Sequence, residues 1–340
     1  MEETSSMRRP RGYHAATPNA PAVVGHSELL ARVPHLRADL LQQAHALFPV
    51  RVTRTFFEQG DPLDPSDPVL GQVLPRGGEA EDHPGDRPDP VGDAARSPVP
   101  WVVSKHPDRV LLLLTKRCHL YCRYCFRRDH SPSSAWDPTE AELERALGWC
   151  VSSGVREVIL SGGDPLVIAP NRLLAVLDRL QGEGLRVRIH TRAPITAPTQ
   201  LSEALLGGLQ ERTPLWMVVH CNHAQELGKE AVACLRRLVD SGISVLNQSV
   251  LLAGVNDSVS ALADLSNALV DLGIKPYYLH LTDPVPGNAP FRVEAGRAVG
   301  LHAELKKRVS GIALPALVVD LPDGSGKVDV SQALSTGVLG

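Results

Sequence analysis

Cys118, Cys122 and Cys125 stand within eight residues, in the run Cys118-His119-Leu120-Tyr121-Cys122-Arg123-Tyr124-Cys125, directly after the apolar run Val110 to Leu114. Thiolates suit iron-sulfur and zinc centres because each donor is both charged and polarisable. A fourth cysteine is missing nearby. If the site is a four-iron cluster, one iron is left open to hold a second molecule and react with it. If it is zinc, His119, Asp129 or His130 must close the tetrahedron.

Other residue types that could do chemistry lie far from this loop in sequence. Ser161-Gly162-Gly163-Asp164-Pro165 suits a tight strand-to-helix turn, and its glycines would also let a ligand approach the backbone. Lys327 sits in Leu321-Pro322-Asp323-Gly324-Ser325-Gly326-Lys327-Val328 and is one of only seven lysines. Alone it is an ordinary solvated lysine, although a glycine-bearing loop can also bring an amine to a cofactor aldehyde. The glycine spacing excludes a phosphate loop of the G-x-x-x-x-G-K-[ST] kind. Asp283 and Asp320 either cap strand ends or, at one mouth, suit a cationic substrate group. Cys150 and Cys234 fall in helical patterns and are expected in the core.

The elements that must position these residues begin near Arg109. Apolar runs at 109–115, 157–160, 187–190, 215–220, 243–250, 276–281 and 315–321 alternate with helical stretches at 139–152, 171–181, 200–206, 225–240, 259–272 and 293–309. Continuous apolar strands separated by helices predict a parallel α/β sheet or barrel with right-handed crossovers. Cys118, Ser161 to Asp164, Arg192, His220, Gln248 and Asp283 all fall at or just after strand C-termini. That rim carries the chemistry in α/β barrels. Upstream, residues 1–20 have the composition of a mobile tail, 29–48 have helical spacing, and 72–100 form a long Gly-, Pro- and Asp-rich loop expected to cross the surface.

A formal net charge of -3 over 340 residues gives no electrostatic reason for a nucleic-acid or membrane-surface partner. Neither a signal peptide nor an 18-residue apolar window is present, and three of the six cysteines share one loop. A reducing, cytoplasmic setting and a small-molecule substrate are the expectation.

Cys118 to Arg128, Leu160 to Leu166, Asn247 to Leu252 with Val255-Asn256-Asp257, and Pro276-Tyr277-Tyr278 closely resemble the lysine 2,3-aminomutase family of radical S-adenosylmethionine (SAM) enzymes. The likeness runs from about Phe48 to Val328. It implies a partial (β/α)6-type barrel over 101–282, preceded by a helical region and loop at 21–100 and followed by a short segment at 283–340 that carries a cofactor lysine. The implied cofactors are a [4Fe-4S] cluster, SAM and pyridoxal 5'-phosphate (PLP).

The same resemblance implies roles. Cys118, Cys122 and Cys125 look like the cluster ligands, with SAM on the open iron. Gly162, Gly163, Asp164, His220 and Gln248 match positions lining the SAM pocket, and Arg192 is a further candidate. Lys327 looks like the lysine that carries PLP, and Lys105 with Arg109 the basic pair on its phosphate, although His106 replaces the family's usual aromatic. Arg127 matches the guanidinium that pairs with the substrate carboxylate. Asp283 and Asp320 occupy the two positions that hold the ε-ammonium of free lysine; a glutamate side chain would be repelled there.

The expected reaction is conversion of L-lysine to β-lysine, with a flavodoxin or ferredoxin as one-electron donor and a homo-oligomeric assembly. Cys-Arg-Tyr-Cys-Phe-Arg-Arg, Leu265 to Leu269 and Tyr-Tyr-Leu-His also resemble the short aminomutases that serve elongation factor P modification. Asp320 favours the free-lysine type. Arginine or ornithine aminomutase chemistry and a zinc-stabilised, non-catalytic barrel are the alternatives.

Overall fold

The computed structural model describes residues 20–128 and 135–339, so Asp129 and His130, two of the candidate zinc donors, lie outside the described residues. Three helices come first: α1 (His26–Arg32), α2 (Ala38–Leu47) and α3 (Arg54–Phe57). The core then alternates as β1 (Val102–Val103), β2 (Arg109–Thr115), α4 (Glu140–Ser152), β3 (Glu157–Gly162), α5 (Pro170–Gly182), β4 (Arg186–Thr191), α6 (Ala193–Thr196), α7 (Glu203–Gln210) and β5 (Trp216–His220). It continues with α8 (Lys229–Asp240), β6 (Ser244–Val250), α9 (Val259–Asp271), β7 (Lys275–His280), α10 (Ala295–Arg308), β8 (Ala316–Leu321), β9 (Gly326–Asp329) and α11 (Val330–Ser335).

All the strands join one curled sheet in sequence order. β2 through β8 pair in parallel, while β1 and β9 add antiparallel at the two ends. This is the partial barrel that the resemblance implies, one of the two arrangements that the alternating runs and helices allow: six strand-helix units and a closing strand. Val110, Leu112 and Leu114 of β2, Val187 and Ile189 of β4, and Met217 and Val219 of β5 pack in the helix-facing core. The strand period of two therefore turns Arg188, His190 and His220 to the concave side. Helix starts follow local chemistry. Thr139 and Glu142 form a reciprocal capping box at α4, and the side chains of Ser202 and Ser258 cap α7 and α9.

Two expectations change. The glycine-rich segment around Lys327 is a strand, β9, because Gly324 and Gly326 take positive φ (92° and 75°) and reverse the chain so that Lys327 pairs with Asp320. The 72–100 segment does not simply cross the surface: Gln72, Val73, Leu74, Glu79 and Val91 are buried in it. Cys150 and Cys234 are core residues as expected.

Candidate active site

The cysteine loop leaves the C-terminal end of β2 and is fixed from behind. Arg123 is fully buried and donates to both oxygens of Glu79 (Nε 3.3 and 3.1 Å), to Phe48 O (2.6 Å) and to Ala44 O (3.3 Å). Arg128 adds a second guanidinium on Glu79 at 3.1 Å and bonds the carbonyls of Arg123 and Gly287. One carboxylate shared by two arginines in a dry site leaves one positive charge in excess, which hydrogen bonds to the carbonyls of Phe48, Ala44, Arg123 and Gly287 help to offset. The glycines of the next loop have a packing reason. A Cβ on Gly162 would lie 2.1 Å from Thr115 O, and one on Gly163 2.2 Å from Arg117 O, so β3 can lie against the entry of the cysteine loop only with glycine there.

A second buried network reaches the cysteines from the barrel side. Arg192 donates through Nη1 to Cys122 Sγ (2.7 Å) and Tyr124 Oη (2.8 Å), and through Nη2 to Gln72 (2.7 Å) and Glu226 (2.9 Å). Tyr124 Oη also accepts from Asn222 at 2.7 Å, so its own proton goes to His220 Nε2 at 2.8 Å. His220 is thus neutral, in keeping with burial, and then the Arg192 charge, pushing its pKa well down. Burial opposes the charge of Arg192, but Cys122, Tyr124 and Glu226 keep it cationic. Asp164 braces the same corner, accepting from Thr191 Oγ1 (2.6 Å) and from the backbone N–H of Leu166, Arg192 and Ala193.

Burial raises two of the thiols, Cys118 well above its ordinary value and Cys125 to about 11, so these two need a cationic partner to ionise. Three free cysteines in one loop are a donor set that fits an iron-sulfur cluster. Among the described residues no three His, Cys, Asp or Glu side chains lie close enough to share one ion. His119, the described candidate for closing a zinc tetrahedron, has its ring on Leu166 O at 3.3 Å.

On the concave side, Lys327 of β9 ion-pairs with Asp320 of β8 and lies 5.9 Å over the Tyr278 ring. Burial pushes Asp283 up to about 7, with the Asp320 charge adding to it. Burial raises Asp320 as well, but Lys327 and Lys105 outweigh it and hold that carboxyl below its ordinary value. His280 is pushed down to about 3 by burial and then by Lys327. Arg188 Nε and His190 Nε2 are buried with no partner among the described residues. An amine, orphaned donors and nearby cations fit a cofactor bearing an aldehyde and anionic oxygens.

The remaining expected residues separate into two groups. Arg127 and Lys105 meet at one carboxylate, Asp93, each at 2.8 Å. Arg109 instead pairs with Asp108 at the other end of β2, and Gln248 stands beside His220 and Tyr278 in the sheet register. Sequence reasoning missed Asp93, Glu79, Gln72 and Glu226, whose partners are far along the chain. It also missed Arg188 and His190, which the alternation along β4 could have flagged.

Residues 112–265 match the Radical SAM superfamily. The crystal structure of Streptococcus suis SuiB superposes with a TM-score of 0.50 at 13% identity, covering 64% of this chain and 50% of that one, a likeness of fold. Fold and cysteine loop together define a radical SAM enzyme. Among curated relatives, the chain is 39% identical to L-lysine 2,3-aminomutase of Escherichia coli K12 over 300 residues, 86% of each chain. It is 35% identical to that of Clostridium subterminale over 282 residues, 82% of this chain and 68% of that one. The protein belongs to the lysine 2,3-aminomutase family, an isomerase family whose cofactors are a [4Fe-4S] cluster, SAM and PLP. No helix among the described residues is long and apolar enough to cross a membrane.

Proposed function

We propose that the protein is an L-lysine 2,3-aminomutase that moves the α-amino group of lysine to the β-carbon. The observation that carries this reading is Asp320: it already holds an alkylammonium group, that of Lys327, on the face that it shares with the nearby Asp283. A substrate ε-ammonium has the same chemistry. Arg127, two residues past Cys125, supplies a guanidinium for the α-carboxylate. Fixing lysine at both ends leaves C2 and C3 between the anchors, where orientation lowers the barrier.

Cys118, Cys122 and Cys125 would hold the cluster, with Arg192 donating to the Cys122 sulfur at 2.7 Å. Gly162, Gly163, Asp164, His220 and Gln248 would border SAM, Lys327 would take the PLP aldehyde, and Lys105 its phosphate, since Arg109 is turned to Asp108 at the other end of β2. When bound, the cluster with SAM supplies a carbon radical that takes hydrogen from the substrate, and PLP supplies a conjugated ring that spreads the unpaired electron. The buried Arg192–Tyr124–His220–Asn222 network keeps water from the cysteine side. The residue roles, a flavodoxin or ferredoxin donor, homo-oligomeric assembly and a cytoplasmic location belong to the same reading.

Anaerobic incubation with lysine, arginine, ornithine and glutamate, followed by mass spectrometry, tests it. β-Lysine is expected as the main product; product from another amino acid with none from lysine overturns the assignment. In the same preparations Lys327→Ala should lose the bound-PLP absorbance while keeping iron and sulfide. An unchanged spectrum removes Lys327 from its role.

A further inference from the structure

The segment 86–97 is a strap laid across the mouth of the barrel, and its ends are tied to the loop that carries Asp283 and to the turn that follows Asp320 and β8. Asp86 pairs with Arg292 at 2.5 Å, and Arg87 N donates to Pro284 O at 3.0 Å, next to Asp283. On the other side Arg96 Nη2 donates to Asp323 O at 2.5 Å, and a Cβ on Gly92 would lie 2.6 Å from Pro322 O. Between these ties the Asp89 carboxylate accepts from Asp93 N (2.9 Å) and Ala94 N (2.8 Å), fixing the backbone that presents Asp93.

Asp93 then reaches two cations at once. One oxygen lies 2.8 Å from Lys105 Nζ, and the other 2.8 Å from Arg127 Nη2 and 3.3 Å from Arg127 Nε. Its side chain is 17% exposed and that of Lys105 9%, so these contacts are weakly screened. Burial favours the protonated acid, yet Arg127 and Lys105 hold Asp93 below the usual carboxylate range.

The donor count shows what this arrangement leaves available. Asp93 takes the Nε–Nη2 edge of Arg127 and Gly162 O lies 3.5 Å from Nη1, so of the five N–H donors one on Nη1 and one on Nη2 remain for a second carboxylate. Lys105 has three N–H donors; Asp93 and Val91 O (2.7 Å) take two, and one remains for an anionic oxygen. We propose that Asp93 is a positioning residue that sets Arg127 and Lys105 together, joining the substrate-carboxylate contact to the cofactor-phosphate contact. The inference rests on the roles proposed above for Arg127 and Lys105.

The test uses the full-length enzyme, reconstituted with iron and sulfide, as Asp93→Asn, Asp93→Ala and Asp93→Glu. Asp93→Asn keeps the shape and removes the charge. It should raise KM for lysine and the dissociation constant for PLP, read by absorbance titration, each roughly tenfold, with kcat at saturation within about threefold of wild type. Asp93→Ala should match or exceed these losses, Asp93→Glu should recover part of both, and iron content and melting temperature should hold. Unchanged constants in Asp93→Asn overturn the proposal. So do tighter constants, which would make Asp93 a competitor of the ligands, or a common loss of iron and melting temperature that Asp93→Glu does not recover. Arg127→Ala separates the two layers: unchanged KM there rejects the carboxylate role of Arg127, whereas raised KM there with unchanged KM in Asp93→Asn rejects only the role of Asp93.

Discussion

Asp283 is the residue whose protonation reports most directly on the proposed substrate pocket. Its folded pKa of about 7, raised by burial and then by Asp320, stands above the ordinary carboxylate value of 3.8. Between those values the ligand-free fold keeps a proton that the unfolded chain has lost. The contribution of Asp283 to stability is therefore present below pH 4 and falls as pH rises to 7. Asp283→Asn should make the ligand-free protein more stable by about 4 kcal/mol at pH 8, roughly 1.4 kcal/mol for each unit of the gap, and leave it unchanged at pH 4, measured by denaturant unfolding. Ligand binding has the opposite sign, since an ammonium needs the ionised carboxylate. The dissociation constant for lysine should rise roughly tenfold per pH unit below 7 in wild type and lose that dependence in Asp283→Asn.

At the scale of elements, the cysteine loop is held by a segment that has almost no secondary structure of its own. Glu79 is 2% exposed, and its carboxylate is the shared partner of Arg123 and Arg128. Glu79→Ala leaves two buried guanidinium groups without their anion and should cost about 3–5 kcal/mol. Because both arginines belong to the loop, iron bound per chain after reconstitution should fall with it; full iron content at wild-type stability would show that the loop is held by other contacts. The sequence marked the loop but not its anchor. Cysteine spacing is a local signal, whereas Glu79 lies 44 residues from Arg123 in an irregular stretch with no period to read.

Across the whole molecule, stability should be graded along the sheet. β3 to β6 have neighbours on both sides, whereas β9 pairs only with β8, through four residue pairs, and bears the exposed Lys327. In ligand-free protein the β9 amides should exchange with solvent faster than those of β3 to β6, and slow when PLP and lysine are added, read by hydrogen-exchange mass spectrometry. Equal exchange along the sheet would show that the hairpin bearing Lys327 is as rigid as the centre. The alternation of apolar strands and amphipathic helices made the parallel α/β core legible, and the limits of β2 to β8 fall within two residues of the expected ones because the hydrophobic period is a property of neighbouring residues; the short antiparallel β1 and β9 carry no such period.

By itself the sequence determined the alternation of strands and helices, the placement of Cys118, Asp164, Arg192, His220 and Gln248 near strand C-termini, and the three-thiol loop with no fourth cysteine nearby. Only the tertiary structure decided which charges meet. The β8–β9 hairpin turns Lys327 onto Asp320, the strap brings Asp93 to Arg127 and Lys105, and the curled sheet places Arg192 on Cys122 across 70 residues. Apolar patterning is written locally, but an ion pair in a dry site depends on the closure of the whole chain around it.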